Sequence, residues 1–174
     1  CWFKGSVTNT ANHKDHRGTG GLIGTIYDGS HANIKGCLNS GIVDVTAYKY
    51  NQKTEKEPNI TPIAGGIVGW VKTDKSSVVV KDCLSTEAVK VDAVVTGGHG
   101  AVIGYSENVN KTEVSATYST VTPLAGSKIK GKIYQMSEAD ITGYKGYQWT
   151  VLDFKNYWAV VEDATPIVKP FASK

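Results

Sequence analysis

The sequence predicts an all-β protein, a parallel β-solenoid of about three to four coils closed by a C-terminal aromatic cap. Three observations lead to this prediction. β-Branched residues dominate, with 20 Val, 12 Ile and 17 Thr against 5 Leu and one Met, and such residues favour strands over helices. The chain also holds 19 glycines, which indicate many tight turns. Finally, two short blocks recur along the chain, as is typical of stacked repeats.

Length and composition exclude several classes of protein. The chain has 174 residues, a formal net charge of +3 and a hydrophobic fraction of 40%. This fraction is too high for a disordered chain, and the length suffices to bury a core. No apolar run approaches the roughly 18 to 20 residues of a membrane-spanning helix. No basic stripe with interleaved aromatic residues is evident, so nucleic acid is not an expected partner.

A glycine block defines the repeat. It has the sequence Gly-Gly-Leu-Ile-Gly at 20–24, Gly-Gly-Ile-Val-Gly at 65–69 and Gly-Ala-Val-Ile-Gly at 100–104. Short β-branched segments, such as 78–81 and 89–92, lie between the blocks and predict strands. Because a unit this short cannot bury its apolar face alone, we expect successive units to stack on one another.

A cysteine block follows each glycine block at a nearly constant distance. The distance from the first glycine of a block to the following cysteine position is nearly the same in each repeat. It separates Gly20 from Cys37, Gly65 from Cys83, and Gly100 from Thr117. Cys1 begins a further block of this kind, so we expect the chain to open in mid-repeat, as a piece of a larger protein. One small residue per coil predicts a column of buried free thiols, continued by Thr117, in preference to a disulfide.

One connection between the blocks is longer than the others. The segment from a cysteine position to the next glycine block is clearly longer at 37–65 than at 1–20 or 83–100. The excess is a polar, proline-bearing stretch at 49–59, which predicts a surface loop inserted into one coil.

The two blocks together resemble the GLUG motif repeats. The resemblance rests on a Gly-Gly-aliphatic-aliphatic-Gly block followed, at the same nearly constant distance, by a segment such as Cys-Leu-Asn-Ser-Gly at 37–41. It covers roughly residues 1–122, and 141–144 with 165–169 resemble the segment that closes such arrays. These repeats occur in bacterial adhesin-like proteins and in non-catalytic parts of zinc-dependent immunoglobulin A peptidases. The resemblance implies a β-solenoid module outside the cell and does not imply an activity, because the repeats are not the catalytic part of those proteins.

We therefore expect two parts, the repeat solenoid at 1–126 and a C-terminal cap at 127–174. The second part is rich in aromatic residues, namely Tyr134, Tyr144, Tyr147, Trp149, Phe154, Tyr157, Trp158 and Phe171. The favoured interpretation is a cap on the open apolar end of the stack, and the alternative is a sugar-stacking platform. Ser137, followed by Glu138 and Asp140, predicts the start of a short helix.

No catalytic or nucleotide-binding pattern is evident. The glycine blocks precede strand-like residues and lack the Gly-Lys-Ser/Thr of a phosphate-binding loop. The cluster His13-Lys14-Asp15-His16 predicts a solvated loop, with a weak metal site as the alternative. His31 and His99 are predicted turn residues. We expect neither a metal nor a cofactor.

Two carboxylates leave an enzymatic alternative open. Asp44 and Asp92 follow matching strands, which is compatible with a carbohydrate-active β-helix enzyme. Asp28, Asp74 and Asp82 are predicted to form turns. None of the 16 acidic residues belongs to an evident pair, so we favour a non-catalytic protein.

Trp70 and Tyr105 are the predicted binding residues. Each follows the last glycine of its block, and Thr25 has the same phase in the first block. Equivalent positions of a solenoid lie one above another, so the two rings should be neighbours. An exposed pair of rings stacks on sugars or anchors a protein. The alternative is a supporting ladder that faces a loop.

The predicted function is that of a non-catalytic repeat module in a large secreted or cell-wall-attached bacterial protein. The module acts as a spacer, or as a binding scaffold for a glycan or for a host protein such as an immunoglobulin. The resemblance suggests an immunoglobulin A peptidase domain as one neighbour in the parent chain.

Overall fold

The computed structural model describes residues 1–10, 18–47, 62–91 and 98–169. Within them the chain is mostly β, with parallel sheets and, near the C-terminus, two short α-helices. Four predicted features lie outside the described residues, namely the insertion at 49–59, the His13–His16 cluster, Asp92 and Phe171.

The strands follow one another in the same order in each repeat, and we call the strands of one repeat a rung. The first full rung comprises β3 (Gly18–Gly20), β4 (Ile23–Ile26), β5 (His31–Lys35), β6 (Leu38–Asn39) and β7 (Ile42–Asp44). The second comprises β8 (Ile63–Gly65), β9 (Val68–Val71), β10 (Ser77–Lys81), β11 (Leu84–Ser85) and β12 (Val89–Lys90). The third comprises β13 (His99–Gly100), β14 (Ile103–Ser106), a 3-10 helix (Val109–Lys111) and β15 (Thr112–Ser119). A partial rung, β1 (Trp2–Phe3) and β2 (Ser6–Thr8), precedes them, and β16 (Lys130–Gln135) follows.

Sequence-equivalent strands pair side by side in parallel. One seven-stranded sheet has the order β1-β6-β11-β15-β10-β5, with β16 paired to β15, and three-stranded sheets join β2, β7 and β12, then β3, β8 and β13, then β4, β9 and β14. The register follows the sequence blocks, because Gly65 pairs with both Gly20 and Gly100. The predicted pairing of repeat upon repeat is thereby confirmed at the level of parallel, in-register strands.

Glycine is required in these blocks because the backbones approach closely. A Cβ atom on Gly65 would lie 1.9 Å from the carbonyl oxygen of Val68, and one on Gly66 would lie 2.1 Å from the carbonyl oxygen of Ala101. Neither contact can be relieved by a side-chain rotation, since both partners are backbone atoms. The close approach of the backbones therefore leaves no room for a side chain at these positions.

The largest apolar cluster of the stack runs through its interior, and a smaller one contains Val43, Val45 and Ala64. The buried members of the largest cluster come from equivalent positions of successive rungs, and they include Ile34, Cys37, Ile67, Val78, Val80, Cys83, Val102 and Val114. Each rung thus covers the apolar surface of the next, which is how short repeats acquire a core.

A shortened rung follows the third one, and the sequence pattern did not reveal it. Ala125 bridges Ile103 in parallel, and the Val102 and Ala101 amides donate to Leu124 and Pro123 carbonyls. In β16, Ile133 then pairs with Thr117. Gly126 occupies the position of the last glycine of the block, and the first glycines are absent from this rung. This absence explains why the repeat was not recognised in the sequence. The predicted boundary at 126 stays a prediction, although β16 beyond it extends the seven-stranded sheet.

The C-terminal segment comprises α1 (Glu138–Ile141), α2 (Tyr144–Trp149) and the antiparallel pair β17 (Trp158–Ala159) and β18 (Ile167–Val168). The predicted helix start is confirmed, because the Ser137 hydroxyl accepts a hydrogen bond of 3.2 Å from the Asp140 amide. The buried Trp158 packs in one cluster with Leu38, Leu84 and Tyr118, which belong to three successive rungs. The segment therefore contacts the side of the stack and not only its last rung.

Candidate binding surfaces

The two predicted binding residues are neighbours, but only one of them is exposed. Tyr105 pairs with Trp70, which pairs with Thr25 on its other side, so the predicted row is confirmed. Tyr105 is 38% exposed, whereas Trp70 is only 2% exposed. The expectation of an exposed two-ring ladder was wrong for Trp70, because this residue lies in the central strand β9 and a Cβ on Gly18 would lie 3.0 Å from its Cβ.

A second row lies beside the first and was not predicted. The Lys72 ammonium lies 4.6 Å from the centroid of the Tyr27 ring and 4.8 Å from that of Trp70. Such distances allow cation–π attraction. Tyr27 and Lys72 stand two residues after Thr25 and Trp70, so the period of two along a strand is the signal that would have identified them in the sequence. We call Tyr27, Trp70, Lys72 and Tyr105 the aromatic–lysine face.

One carboxylate borders this face. Glu107 follows Tyr105 by two residues, and its Oε2 accepts a hydrogen bond of 3.0 Å from the Thr73 amide. Thr73 has a φ of 78°, a left-handed conformation that is costly for a β-branched residue. The carboxylate therefore helps to hold a strained turn at the end of β9.

The cysteine column is confirmed for its two inner thiols. We define it as Cys37, Cys83 and Thr117, whose neighbours Leu38, Leu84 and Tyr118 pair in register. All three described cysteines are free, and Cys37 and Cys83 are buried, whereas Cys1 on the outermost rung is exposed.

Members of this column share one hydrogen-bond pattern. Each side chain donates to the carbonyl oxygen two residues earlier, at 3.3 Å for Cys37, 3.1 Å for Cys83 and 2.9 Å for Thr117. The hydrogen bond to Cys37, together with burial, raises the pKa of the Cys83 thiol well above its usual range. Cys83 therefore stays protonated and serves as a small core residue.

The residues just before the cysteine column turn a corner of the chain. Gly36, Asp82 and Ala116, which we call the corner column, have φ values of 60°, 55° and 46°. This left-handed conformation suits glycine and is tolerated by aspartate. The predicted turn role of Asp82 is thereby confirmed.

The corner column is where the C-terminal segment docks. The Asp82 Oδ1 accepts a hydrogen bond of 2.7 Å from the Asp153 amide, and the Trp158 indole N–H donates to the Asp82 carbonyl oxygen at 3.3 Å. On the neighbouring rung the Tyr157 ring lies against Gly36, where a Cβ atom would be 2.6 Å from the ring.

We call this contact between the corner column and the C-terminal segment the docking seam, and the Asp82 carboxylate is almost fully buried in it. Burial raises the pKa of Asp82 above its ordinary value, and the nearby Asp153 carboxylate adds to the effect while Lys35 opposes it. Its Oδ2 has no hydrogen-bond partner among the described residues. Asp82 thus ties the two parts of the molecule together at an electrostatic cost.

The remaining predicted polar residues occupy turns or strands. Asp28 and Asp74 lie in turns, as predicted. Asp44 accepts hydrogen bonds from the Thr46 amide and hydroxyl, which lower the pKa of Asp44. His31 and His99 lie in β5 and β13, so the turn prediction was wrong for both.

A groove borders the C-terminal segment at the end of β16. It has a volume of about 670 Å³ and is lined by Gln135 of β16, Glu138 and Asp140 of α1 and Trp149 of α2, together with Thr120, Met136 and Ser137. The Trp149 side chain is 70% exposed, in contrast to the buried Trp158. The aromatic residues of this segment therefore divide between a buried group and an exposed one.

Neither a metal-binding cluster nor a membrane-spanning helix is found in the described part of the chain. No three His, Cys, Asp or Glu side chains in that part lie close enough together to hold a metal ion. Nor does any helix there combine the length and apolarity that crossing a membrane requires.

No model of a protein family, no curated protein and no solved structure matches this chain. The resemblance to the GLUG repeats therefore stays a prediction, as do the secreted location and the host partners.

Proposed function

We propose that the chain is a parallel β-solenoid of about three to four coils that serves as a non-catalytic repeat module. Its parent is a large secreted or surface-anchored bacterial protein, for which the GLUG-like blocks are the support. The module acts as a spacer or as a binding scaffold for a glycan or for a host protein such as an immunoglobulin, beside a domain such as an immunoglobulin A peptidase.

One observation carries this proposal. Positions that recur in the sequence occupy the same place on successive rungs, as Gly20, Gly65 and Gly100 do. A stack built in this way has a continuous core and a regular outer surface, so it holds surface side chains at fixed spacing. Rigid spacing is what a spacer or a binding scaffold requires.

The aromatic–lysine face is the surface that the proposal assigns to binding. Tyr27 and Tyr105 are exposed, and the Lys72 ammonium lies over the ring of Tyr27. Rings of this kind stack on the apolar face of a sugar or fill a pocket of a protein partner. The cation adds attraction for a ligand that bears a carboxylate.

The test exposes the chain to immunoglobulin A and to a glycan panel, with binding and ligand mass measured in parallel. We expect binding without cleavage, and at least about tenfold weaker binding by Tyr105→Ala. The matched control is Tyr134→Ala, since Tyr134 has a similar exposure of 41% on another strand. Cleavage of the ligand, abolished by Asp44→Asn, would overturn the proposal and favour the carbohydrate-active enzyme. Absence of binding would leave only the spacer role.

A further inference from the structure

The groove at the end of β16 combines an exposed indole with polar side chains. Trp149, the last residue of α2, and Met136 both line the groove. An indole that remains 70% exposed is unusual in a chain that buries Trp158 completely. A volume of about 670 Å³ falls within the range of small-molecule sites.

The polar groups around this indole are available to a ligand. Gln135 and Glu138 are both exposed, and neither side chain makes a hydrogen bond to another described residue. One carboxylate oxygen of Asp140 accepts a hydrogen bond from the Ser137 hydroxyl, and the other oxygen is open to a ligand. The groove therefore offers an amide donor and carboxylate acceptors next to an aromatic face.

We propose that this groove binds a neutral saccharide, with Trp149 as the stacking platform. A pyranose ring has an apolar C–H face that packs on an indole, while its hydroxyl groups donate to Glu138 and Asp140 and accept from the Gln135 amide. Two carboxylates and no Lys or Arg line the groove. This charge disfavours sialylated and other anionic glycans, which distinguishes the groove from the aromatic–lysine face.

The site rests on the binding-scaffold role of the proposed function and deepens it by adding a second surface and naming a neutral sugar as its ligand. It lies where the C-terminal segment meets the end of β16, and it uses none of the four residues of the aromatic–lysine face. Cleavage of a bound sugar would contradict the non-catalytic function and leave the site in place. Failure of the saccharide to bind would remove the site and leave the scaffold function untouched.

The experiment follows the tryptophan indole N–H signals by NMR during titration. The probes are neutral oligomers of glucose, galactose, mannose and N-acetylglucosamine, with sialyllactose as the anionic probe. We expect one neutral oligomer to shift the Trp149 signal, Trp149→Ala to lower its affinity at least about tenfold, and sialyllactose to bind at least about tenfold more weakly. Because Trp149 is exposed, its removal leaves the fold intact, and Tyr144→Ala is the matched control outside the groove.

Three results would overturn the proposal. The first is that no neutral oligomer shifts the Trp149 signal at millimolar concentration. The second is that Trp149→Ala binds sugar as well as the wild type, or that sialyllactose binds equally well. The third is that the Trp149 signal depends on protein concentration without sugar, which would identify the groove as a contact between copies of the chain.

In Glu138→Gln, the preference for neutral sugars over sialyllactose is expected to narrow.

Discussion

The repeat stack and the C-terminal segment are stabilised by different kinds of contact. In the stack one contact recurs from rung to rung, as Gly20, Gly65 and Gly100 show by pairing in register. The C-terminal segment instead docks through contacts that occur once each, such as the Trp158 indole on the Asp82 carbonyl. A recurring contact leaves a periodic trace in the sequence, and a contact made once leaves none.

The strongest way to break the stack is to place a methyl group where its backbone segments approach most closely. In Gly65→Ala the new Cβ would lie 1.9 Å from the Val68 carbonyl oxygen and 2.6 Å from the Gly104 amide nitrogen. Both are backbone atoms, Val68 in the same rung as Gly65 and Gly104 in the next one, so the backbone must shift both within the rung and between the two rungs. We expect the free energy of unfolding to fall by at least about 3 kcal/mol, measured by urea denaturation.

Gly5→Ala is the control for this prediction. Gly5 lies on the outermost rung, where a Cβ atom would meet only the Phe3 ring at 3.9 Å, an ordinary contact. We expect a change within about 0.5 kcal/mol. Equal losses in the two variants would show that glycine acts through backbone flexibility and not through the close approach of neighbouring rungs.

Removing Trp158 tests whether the C-terminal segment is separable from the stack. The Trp158 side chain is fully buried against Leu38, Leu84 and Tyr118. Trp158→Ala is expected to lower stability by about 3 to 5 kcal/mol, the range for a buried aromatic residue. Hydrogen exchange should show faster exchange in α1, α2 and β17, with protection retained in β9 and β10.

Trp149→Ala serves as the matched control, because its indole is exposed, and it should change stability by less than about 0.5 kcal/mol. If Trp158→Ala instead releases β9 and β10 together with the helices, the two parts form one cooperative unit. The contrast between recurring and single contacts would then have no consequence for folding.

The sequence predicted the stack better than it predicted the surfaces. Strand pairing, the cysteine column and the neighbouring positions of Trp70 and Tyr105 all follow from the repeat, since period fixes register. Exposure does not follow from the period of the repeat. Trp70 is buried in the central strand β9, which has β4 on one side and β14 on the other. The shortened rung around Ala125 was missed because it lacks the first glycines of the block.

The docking seam was beyond sequence reasoning for the same physical reason. Asp82 was recognised as a turn residue from its type, but its bond to Asp153 joins positions 71 residues apart. No pattern links two residues that meet only once. The groove at Trp149 is another such case, assembled from side chains of three separate elements.

The smallest expected effect concerns the charge in that seam. Asp82→Asn keeps an oxygen that accepts from the Asp153 amide and keeps a residue type that tolerates a φ of 55°. It removes a carboxylate whose burial is unfavourable. We expect stability at pH 7 to rise by less than about 1 kcal/mol, measured by thermal or urea unfolding. Asp28→Asn is the matched control, since Asp28 has a φ of 51° and is exposed.

The pH dependence identifies the cause of this gain. Burial raises the pKa of Asp82 in the folded protein above the ordinary value of 3.8, so the folded state binds this proton more tightly than the unfolded state. The contribution of Asp82 to stability is therefore greatest below pH 3.8 and is lost as the pH rises through the folded pKa. The advantage of Asp82→Asn should be present at pH 7 and disappear on acidification, while Asp28→Asn shows no such trend. An advantage that persists in acid would arise from the backbone preference of asparagine, and the seam would then carry no electrostatic cost.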